Sequence, residues 1–149
     1  ITAFQMTHML TAVVEEGTGS RLKELGRPVA GKTGTTNDLY DAWFIGFSPK
    51  TVAGVWIGYD NVKNLGRNET GARTASPIFL DYMQQALRDE PVRDFTAPPG
   101  VEFAQIDRKT GLRSLSSGLF VPFAPGTAPE EFATTTEEGG TPGRAQRLD

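Results

Sequence analysis

The sequence predicts an α/β fold of the α+β type: a helix, a three-stranded antiparallel meander, a second helix and a small β extension, in that order. Three observations support this class. Apolar residues recur with a helical period near residue 10 and again near residue 80, and three β-rich runs lie between them. The apolar share of 38% in 149 residues is enough for one packed core.

The first helix is predicted from its start signal, its apolar face and its stop signal. Thr2 and Gln5 have the spacing of a capping box, and Gly17 is a natural stop. Between them an i, i+3, i+4, i+7 stripe is formed by Met6, Met9, Leu10 and Val13.

Three β-like runs follow a polar connection that is punctuated by glycine. They span residues 28–36, 40–47 and 51–59. Ser48, Pro49 and Lys50 separate the second run from the third, and so short a turn predicts an antiparallel hairpin.

The second helix is predicted to begin with Ser76 as N-cap and Pro77 in the first turn. Its apolar face is formed by Phe79, Leu80, Met83 and Leu87. Residues 1–90 are therefore expected to form the main unit and residues 91–125 a small β-rich extension with a hairpin that turns at residues 107–111. Residues 126–149 are rich in Thr, Glu, Gly and Pro and predict a flexible tail.

Composition excludes several classes of function. The net charge of −3 and the pI of about 5.2 give no electrostatic footprint for nucleic acid. The absence of cysteine excludes disulfides and thiolate metal sites, and a single histidine, His8, excludes most zinc sites and every Ser-His-Asp arrangement that needs a second one. We therefore expect no nucleic-acid partner, no metal and no cofactor. No run approaches the roughly 20 apolar residues of a membrane span.

Lys32 belongs to two overlapping patterns. Residues 26–33 fit G-x-x-x-x-G-K-[ST], the loop that cradles phosphate between a buried strand and a helix N-terminus. The flanking sequence disagrees, because "SRLKEL" before Gly26 is not a buried strand and "GTTND" after Thr33 is a poor helix start. A nucleotide site here is kept only as an alternative.

The other pattern is Lys32-Thr33-Gly34 on a strand, the K-T-G element of penicillin-recognising serine enzymes. An ammonium group beside a nucleophile helps to bind a carboxylate and biases proton transfers. The hydroxyls of Thr33 and Thr35 can donate to that carboxylate, Gly34 keeps the strand wall flat, and a strand N–H can stabilise an oxyanion. Because alternation sends Lys32 and Thr33 to opposite faces, the site is expected along the strand's edge.

The tripeptide alone is weak evidence, because a second copy occurs at Lys109-Thr110-Gly111. That copy sits in "IDRKTGL", where the Asp, the Gly and the polar neighbours predict a turn.

The longer context is more specific. "GRPVAGKTGTTNDLYDAWFIGFSPKTVAGVWIGYDN", preceded by "MLTAVVEEGTGSRLKELG" and followed by "GARTASPIFLDYM", closely resembles class A penicillin-binding proteins over residues 3–88, with a looser match at "PPGVEFAQIDRKTGL". The resemblance implies part of a serine β-lactamase/D,D-peptidase-like transpeptidase domain. Such domains cross-link peptidoglycan stem peptides that end in D-Ala-D-Ala, and β-lactam antibiotics acylate them. The resemblance also implies a parent protein with a glycosyltransferase domain, at the bacterial inner membrane and facing the periplasm.

The resemblance assigns roles to five adjacent positions. Lys32 is the motif lysine, and the Thr35 N–H is the strand-side oxyanion donor. The substrate-binding set is Thr33, Gly34, Thr35 and Thr36, with Thr36 the weakest candidate.

The family also needs an S-x-x-K nucleophile and an S-x-N element before K-T-G. No S-x-N occurs in this sequence, and Ser20-Arg21-Leu22-Lys23 spells S-x-x-K in a polar connection instead of at a buried helix start. The attacking serine and the membrane anchor are therefore expected in an upstream part of the same protein, and this chain alone is expected to be inactive. A noncatalytic peptide-binding or scaffold fragment is the alternative.

Two further groups have competing interpretations. For Asp41, Trp43 and Phe44, sheet packing and turn chemistry are favoured over a role in the site. For residues 67–71 and Arg73, a solvated loop is favoured over a lining of the substrate cleft.

Overall fold

The computed structural model describes residues 1–36 and 38–133 of the chain. The main elements are α1 (Thr2–Glu15), β1 (Ala30–Thr35), β2 (Asp41–Phe47), β3 (Val52–Gly58), α2 (Ser76–Ala86), β4 (Glu102–Ile106) and β5 (Leu119–Phe123). A 3₁₀ helix at Ser20–Leu25 follows α1, and a π-helical turn at Gly71–Ala75 leads into α2. This order of helices and strands is the predicted one.

The first three strands form an antiparallel meander in the order β1-β2-β3, with β1 at one edge. The predicted hairpin between β2 and β3 is confirmed. Its turn closes through Ser48, whose N–H donates to the Thr51 carbonyl at 2.8 Å and whose Oγ accepts from the Thr51 N–H at 3.1 Å.

One face of the meander is covered by helices. Alternate residues of β2 are buried, and the ring of Phe44 lies 4.8 Å from that of Phe79 on α2. The predicted apolar face of α2 is confirmed, because all four of its residues are buried. The same core contains residues of α1, the 3₁₀ helix, the segment before β1 and the π-helical turn: Val14, Leu22, Val29 and Ala75.

The start of α1 and its buried face differ from the prediction. Thr2 lies inside the helix and Ile1 is the N-cap, with no side-chain capping hydrogen bond, so the capping box is wrong. Met6 and Met9 are about half exposed. The helix is rotated because two surfaces contact it: β1 packs against it on one side, and the β4-β5 extension contacts its first turn through Phe4 and Gln5.

Ser76 is not the N-cap of α2. The π-helical turn runs directly into α2, so the residue before Ser76 is already helical, and the Ser76 hydroxyl donates back to the Ala72 carbonyl at 2.6 Å. Pro77 does lie in the first turn, as predicted.

The β extension turns where predicted but returns later. Residues 107–111 make a tight turn, in which the Asp107 carboxylate accepts from the N–H groups of Lys109 and Thr110 and Gly111 has φ +73°. The paired strand, β5, begins only at Leu119. This geometry confirms the second Lys-Thr-Gly copy as a turn.

Part of the predicted tail is bonded to the extension. Arg113 donates its N–H to the Glu131 carbonyl at 2.9 Å, and the Ala133 N–H donates to the Arg113 carbonyl at 2.8 Å. Residues 126–133 of the predicted flexible tail are therefore ordered against the extension. The remaining residues of that prediction, 134–149, lie outside the described part of the chain, and the division into domains stays a prediction.

An exposed ion pair joins the extension to Glu16, the residue that follows α1. Arg108 donates two hydrogen bonds of 2.7 Å to the Glu16 carboxylate. These bonds, and the charge of the guanidinium, hold the pKa of the Glu16 carboxyl below its ordinary value.

We expect Phe79→Ala to lower the free energy of unfolding by about 3–5 kcal/mol, because it removes a fully buried ring that packs on Phe44. The neighbouring Ile78→Ala variant is the control, because Ile78 is 50% exposed on the same helix. Urea unfolding of the two variants measures the difference. Equal losses would contradict the assignment of the core.

The Glu16–Arg108 pair predicts a pH dependence for the extension. A depressed carboxyl pKa means that the pair stabilises the docked extension above the unfolded pKa, about 4.3, and that this contribution is lost as pH falls through the lower folded value. Near neutral pH, the amides of β4 and β5 should be better protected from hydrogen exchange in the wild type than in Glu16→Gln. In acid, the protection of the two proteins should become equal. Glu24→Gln is the matched control. If the ratio of wild-type to Glu16→Gln protection factors does not change with pH, the ion pair does not hold the extension in place.

Candidate active site

Lys32 and its neighbours lie on β1, the edge strand of the meander. The exposed Lys32 side chain bends around that edge: its Nζ donates to the Thr33 carbonyl oxygen at 2.8 Å and to Thr33 Oγ1 at 3.4 Å. The side chains of Lys32 and Thr33 leave the strand on opposite faces, because residues alternate along a strand. The lysine side chain is long enough for its ammonium to reach Thr33 at the strand edge. Both polar groups therefore reach the strand edge.

The pairing of β1 with β2 decides which backbone groups face outward. The Thr36 N–H donates to the Asp41 carbonyl at 3.2 Å, and bonded pairs alternate with non-bonded pairs along an antiparallel ladder. The N–H and C=O groups of Thr33 and Thr35 therefore point away from β2, in agreement with the bond from Lys32. Within residues 1–36 and 38–133, no strand pairs with this edge. The edge offers backbone donors and acceptors to an extended ligand.

The Thr33 hydroxyl has two polar neighbours. Its Oγ1 lies 3.1 Å from Oγ1 of Thr18, in the segment after α1, and 3.4 Å from the Lys32 ammonium. Sequence reasoning missed Thr18, because fifteen residues separate it from Thr33 and no local pattern links them.

The Thr35 hydroxyl is held from the other side. The backbone N–H of Gly71 donates to Thr35 Oγ1 at 3.2 Å, and the Thr35 side chain remains exposed. Gly71 itself is buried, so this part of the 67–73 loop packs against the end of β1. The favoured interpretation of the whole segment as a solvated loop is wrong at this residue.

Gly34 and Thr36 differ in their surroundings. A Cβ on Gly34 would lie 3.2 Å from the Cβ of Trp43, so a side chain there would crowd the tryptophan. Thr36 Oγ1 accepts from the N–H groups of Tyr40 and Asp41, which gives this hydroxyl a role in the β1–β2 turn. A role of Thr36 in substrate binding stays a prediction.

The aromatic residues after the motif behave as expected for a sheet. Phe44 is fully buried in the core, whereas Trp43 and Trp56 are opposed on the outer face and are 41% and 48% exposed. Asp41 accepts a hydrogen bond of 2.7 Å from the indole N–H of Trp56.

The geometry argues against the two rival motifs. Gly26 ends the 3₁₀ helix in a left-handed conformation, and Lys32 and Thr33 lie within a strand instead of at a helix N-terminus, so the phosphate-loop interpretation is wrong. Ser20 is exposed at the start of a short 3₁₀ helix, and the Lys23 ammonium lies 3.8 Å from the Glu15 carboxylate. Ser20 therefore lacks the surroundings of an activated nucleophile.

One cavity lies away from this strand edge. It encloses about 500 Å³ beside α1 and is lined by residues that include Phe4, His8, Arg27 and Phe95, but by none of residues 32–36. A role of the lysine and the threonines as one wall of a site stays a prediction.

Lys-Thr-Gly is a motif of penicillin-recognising serine enzymes, and here it lies on the edge strand of a helix-covered antiparallel sheet. A family model described as the penicillin binding protein transpeptidase domain matches residues 1–84. The chain belongs to this family, and the resemblance to class A penicillin-binding proteins and to their fold is confirmed.

Relatives agree with this assignment. The chain is 45% identical to penicillin-binding protein 1A of Rickettsia bellii over 120 residues, which is 80% of this chain and 15% of that protein. It is 47% identical to penicillin-binding protein 1A of Pseudomonas aeruginosa over 118 residues, 78% of this chain and 14% of that protein. The crystal structure of penicillin-binding protein 1A from Haemophilus influenzae matches with a TM-score of 0.78 and 36% identity, over 84% of this chain and 20% of that chain.

The chain therefore spans about one seventh of the length of the curated relatives that it matches. Within the described residues, neither α1 nor α2 has the length and apolar character that crossing a membrane requires.

Proposed function

We propose that this chain supplies the strand wall of a serine-type D,D-transpeptidase that cross-links peptidoglycan stem peptides. One observation carries the proposal: the outward backbone groups of Thr33 and Thr35 lie on the same strand edge as the Lys32 ammonium and the Thr35 hydroxyl. An extended peptide can add to such an edge through its main chain while its terminal carboxylate meets the hydroxyls and the ammonium.

The reaction assigns a step to each group. A serine from another part of the protein attacks the penultimate D-Ala carbonyl, and the Thr35 N–H donates to the oxyanion that forms. The Lys32 ammonium favours ionised groups beside the serine, and the hydroxyls of Thr33 and Thr35 donate to the terminal carboxylate. The proton of the serine hydroxyl passes to the amine of the terminal D-Ala, which leaves. The amine of a neighbouring stem peptide then attacks the acyl-enzyme, and its proton returns to the serine oxygen as the serine is released. β-Lactams, whose carboxylate and strained amide occupy the same positions, acylate the same serine.

The outer face of the sheet is proposed to contact the upstream part of the protein that carries this serine. Trp43, Ile45 and Trp56 share that face and are 41%, 52% and 48% exposed. Lys32 lies directly opposite Ile45, so its side chain starts from the same face before it bends to the edge. A segment that covers the two tryptophans therefore also meets the lysine, which is where an attacking serine has to be.

The remaining proposals extend to the whole protein. Relatives named penicillin-binding protein 1A are about seven times as long as the matched region. We propose that the intact protein also polymerises glycan strands, that it is anchored in the bacterial inner membrane, and that this domain faces the periplasm. Its partners are then stem peptides ending in D-Ala-D-Ala, and β-lactam antibiotics.

The two Lys-Thr-Gly copies provide an internally controlled test. In the intact protein, Lys32→Met should slow acylation by a fluorescent penicillin about a hundredfold, because it removes the positive charge beside the reacting carbonyl. Lys109→Met, in the turn of the extension, should leave the rate unchanged. The band intensity after timed labelling measures both rates.

The same assay tests the other assignments. Ser20→Ala should be labelled like the wild type, and the isolated 149-residue chain should not be labelled. An intact protein that is never labelled would favour the noncatalytic alternative, and labelling of the isolated chain at Ser20 would overturn our rejection of that serine.

The proposed contact on the outer face can be tested with two isoleucines of nearly equal exposure. Ile45 on the outer face is 52% exposed in this chain and Ile78 on α2 is 50% exposed. In the intact protein, Ile45→Lys should lower the free energy of unfolding by about 2 kcal/mol or more, because it buries a charge, whereas Ile78→Lys should be nearly neutral. Equal effects would show that the outer face stays open.

A further inference from the structure

The segment that leads into α2 passes directly over the end of β1. Gly71, the first residue of the π-helical turn, is buried there, and its N–H donates to Thr35 Oγ1 at 3.2 Å. The first N–H groups of a helix have no partner within the helix, so this hydroxyl satisfies a donor that the helical turn leaves open. The contact joins residues that are 36 positions apart in the chain.

Only glycine permits this approach. A Cβ on Gly71 would lie 2.1 Å from the Trp43 carbonyl oxygen and 2.8 Å from the Gly34 carbonyl oxygen. Both atoms belong to the backbone of paired strands, so neither can move away as a flexible side chain does. Gly71 is also not among the glycines with positive φ, so close packing and not backbone freedom requires a glycine here.

The hydrogen bond determines what the Thr35 hydroxyl can offer. A threonine hydroxyl has one hydrogen to donate and two lone pairs to accept with. Because Gly71 fills one acceptor position, Oγ1 is held in place while its hydrogen stays available to a ligand. A free threonine hydroxyl tends instead to donate to a nearby backbone carbonyl.

The loop is stiffened around this point. The Thr74 hydroxyl donates to the Glu69 carboxylate at 2.6 Å, and the N–H groups of Arg73 and Thr74 both donate to the Thr70 carbonyl. Gly71 thus sits inside a closed turn that is bonded on both sides, and the position of its N–H is set by that turn.

We propose that Gly71 is a positioning residue for the carboxylate of the substrate. Its N–H orients the Thr35 hydroxyl as a donor, and the absence of a side chain lets the turn reach the strand. The proposal rests on the proposed function, since it assumes that Thr35 binds a carboxylate, and it adds a group outside the Lys-Thr-Gly motif to the machinery.

The test compares two β-lactams on the intact protein: benzylpenicillin, which has a carboxylate, and its methyl ester, which does not. The second-order acylation rate is measured for wild type, Gly71→Ala, Thr35→Val and the double variant. Gly71→Ala should slow acylation by benzylpenicillin about tenfold or more and acylation by the ester less than threefold. The difference is expected because a hydrogen bond to the charged carboxylate is stronger than one to the neutral ester. The double variant should be no slower than Thr35→Val alone, because both changes remove one interaction.

Gly54→Ala is the matched control, because a Cβ at Gly54 in the same sheet would meet its nearest atom at an ordinary 3.6 Å. Thr74→Val is a second variant that tests the same role. It removes the hydrogen bond to Glu69 without a clash at Gly71, and it should slow acylation by benzylpenicillin more than acylation by the ester, with a smaller effect than Gly71→Ala. If Gly71→Ala does not fold, Thr74→Val decides the question. Equal slowing of both β-lactams, or an unchanged preference for the carboxylate in a folded variant, would overturn the proposal.

The failures are distinguishable. If the wild type is never acylated, the proposed function is wrong. If Thr35→Val keeps the full preference for the carboxylate, the role of Thr35 is wrong, and the role of Gly71 falls with it. If Thr35→Val loses that preference while Gly71→Ala and Thr74→Val keep it, only the positioning role is wrong.

Discussion

The register between β1 and β2 is the constraint on which the candidate site depends. In the observed pairing, Thr33 and Thr35 turn their N–H and C=O groups outward, whereas the Thr36 N–H points inward and donates to the Asp41 carbonyl of the neighbouring strand. A slip of one residue would bury the outward donors in the sheet and send every side chain of β1 to the opposite face. The chemistry of Lys32 and its neighbours is therefore a property of strand pairing as much as of residue identity.

That register is set by the hydrophobic core. Gly31 and Gly46 lie directly opposite each other, and the ring of Phe44 covers both: a Cβ on either glycine would lie within 2.8 Å of that ring. Shifting β1 by one residue would bring Lys32 or Ala30 under the ring in place of Gly31. Because Phe44 in turn packs on Phe79 of α2, the packing of a helix on one face determines which backbone groups appear at the edge.

How much the sequence predicts depends on the distance between the residues involved. The meander, its hairpin and the buried face of α2 follow from local periodicity and were predicted. The rotation of α1 was not, because the β extension that contacts Phe4 lies about a hundred residues away. For the same reason the site's motif could be read directly, but the contacts of Thr18 with Thr33 and of Gly71 with Thr35 could not.

Two incomplete features of the fold meet at Lys32. β1 presents an unpaired edge within the described residues, and edges of this kind are normally covered or blocked in soluble proteins. The adjoining outer face exposes Trp43 and Trp56, although large aromatic side chains gain most when they are buried. A single neighbouring segment would account for both the unpaired edge and the exposed tryptophans, if it packed on the outer face and ended before the edge of β1. Such a segment would leave a groove along β1 with the lysine at its floor, and an extended peptide would then complete the sheet.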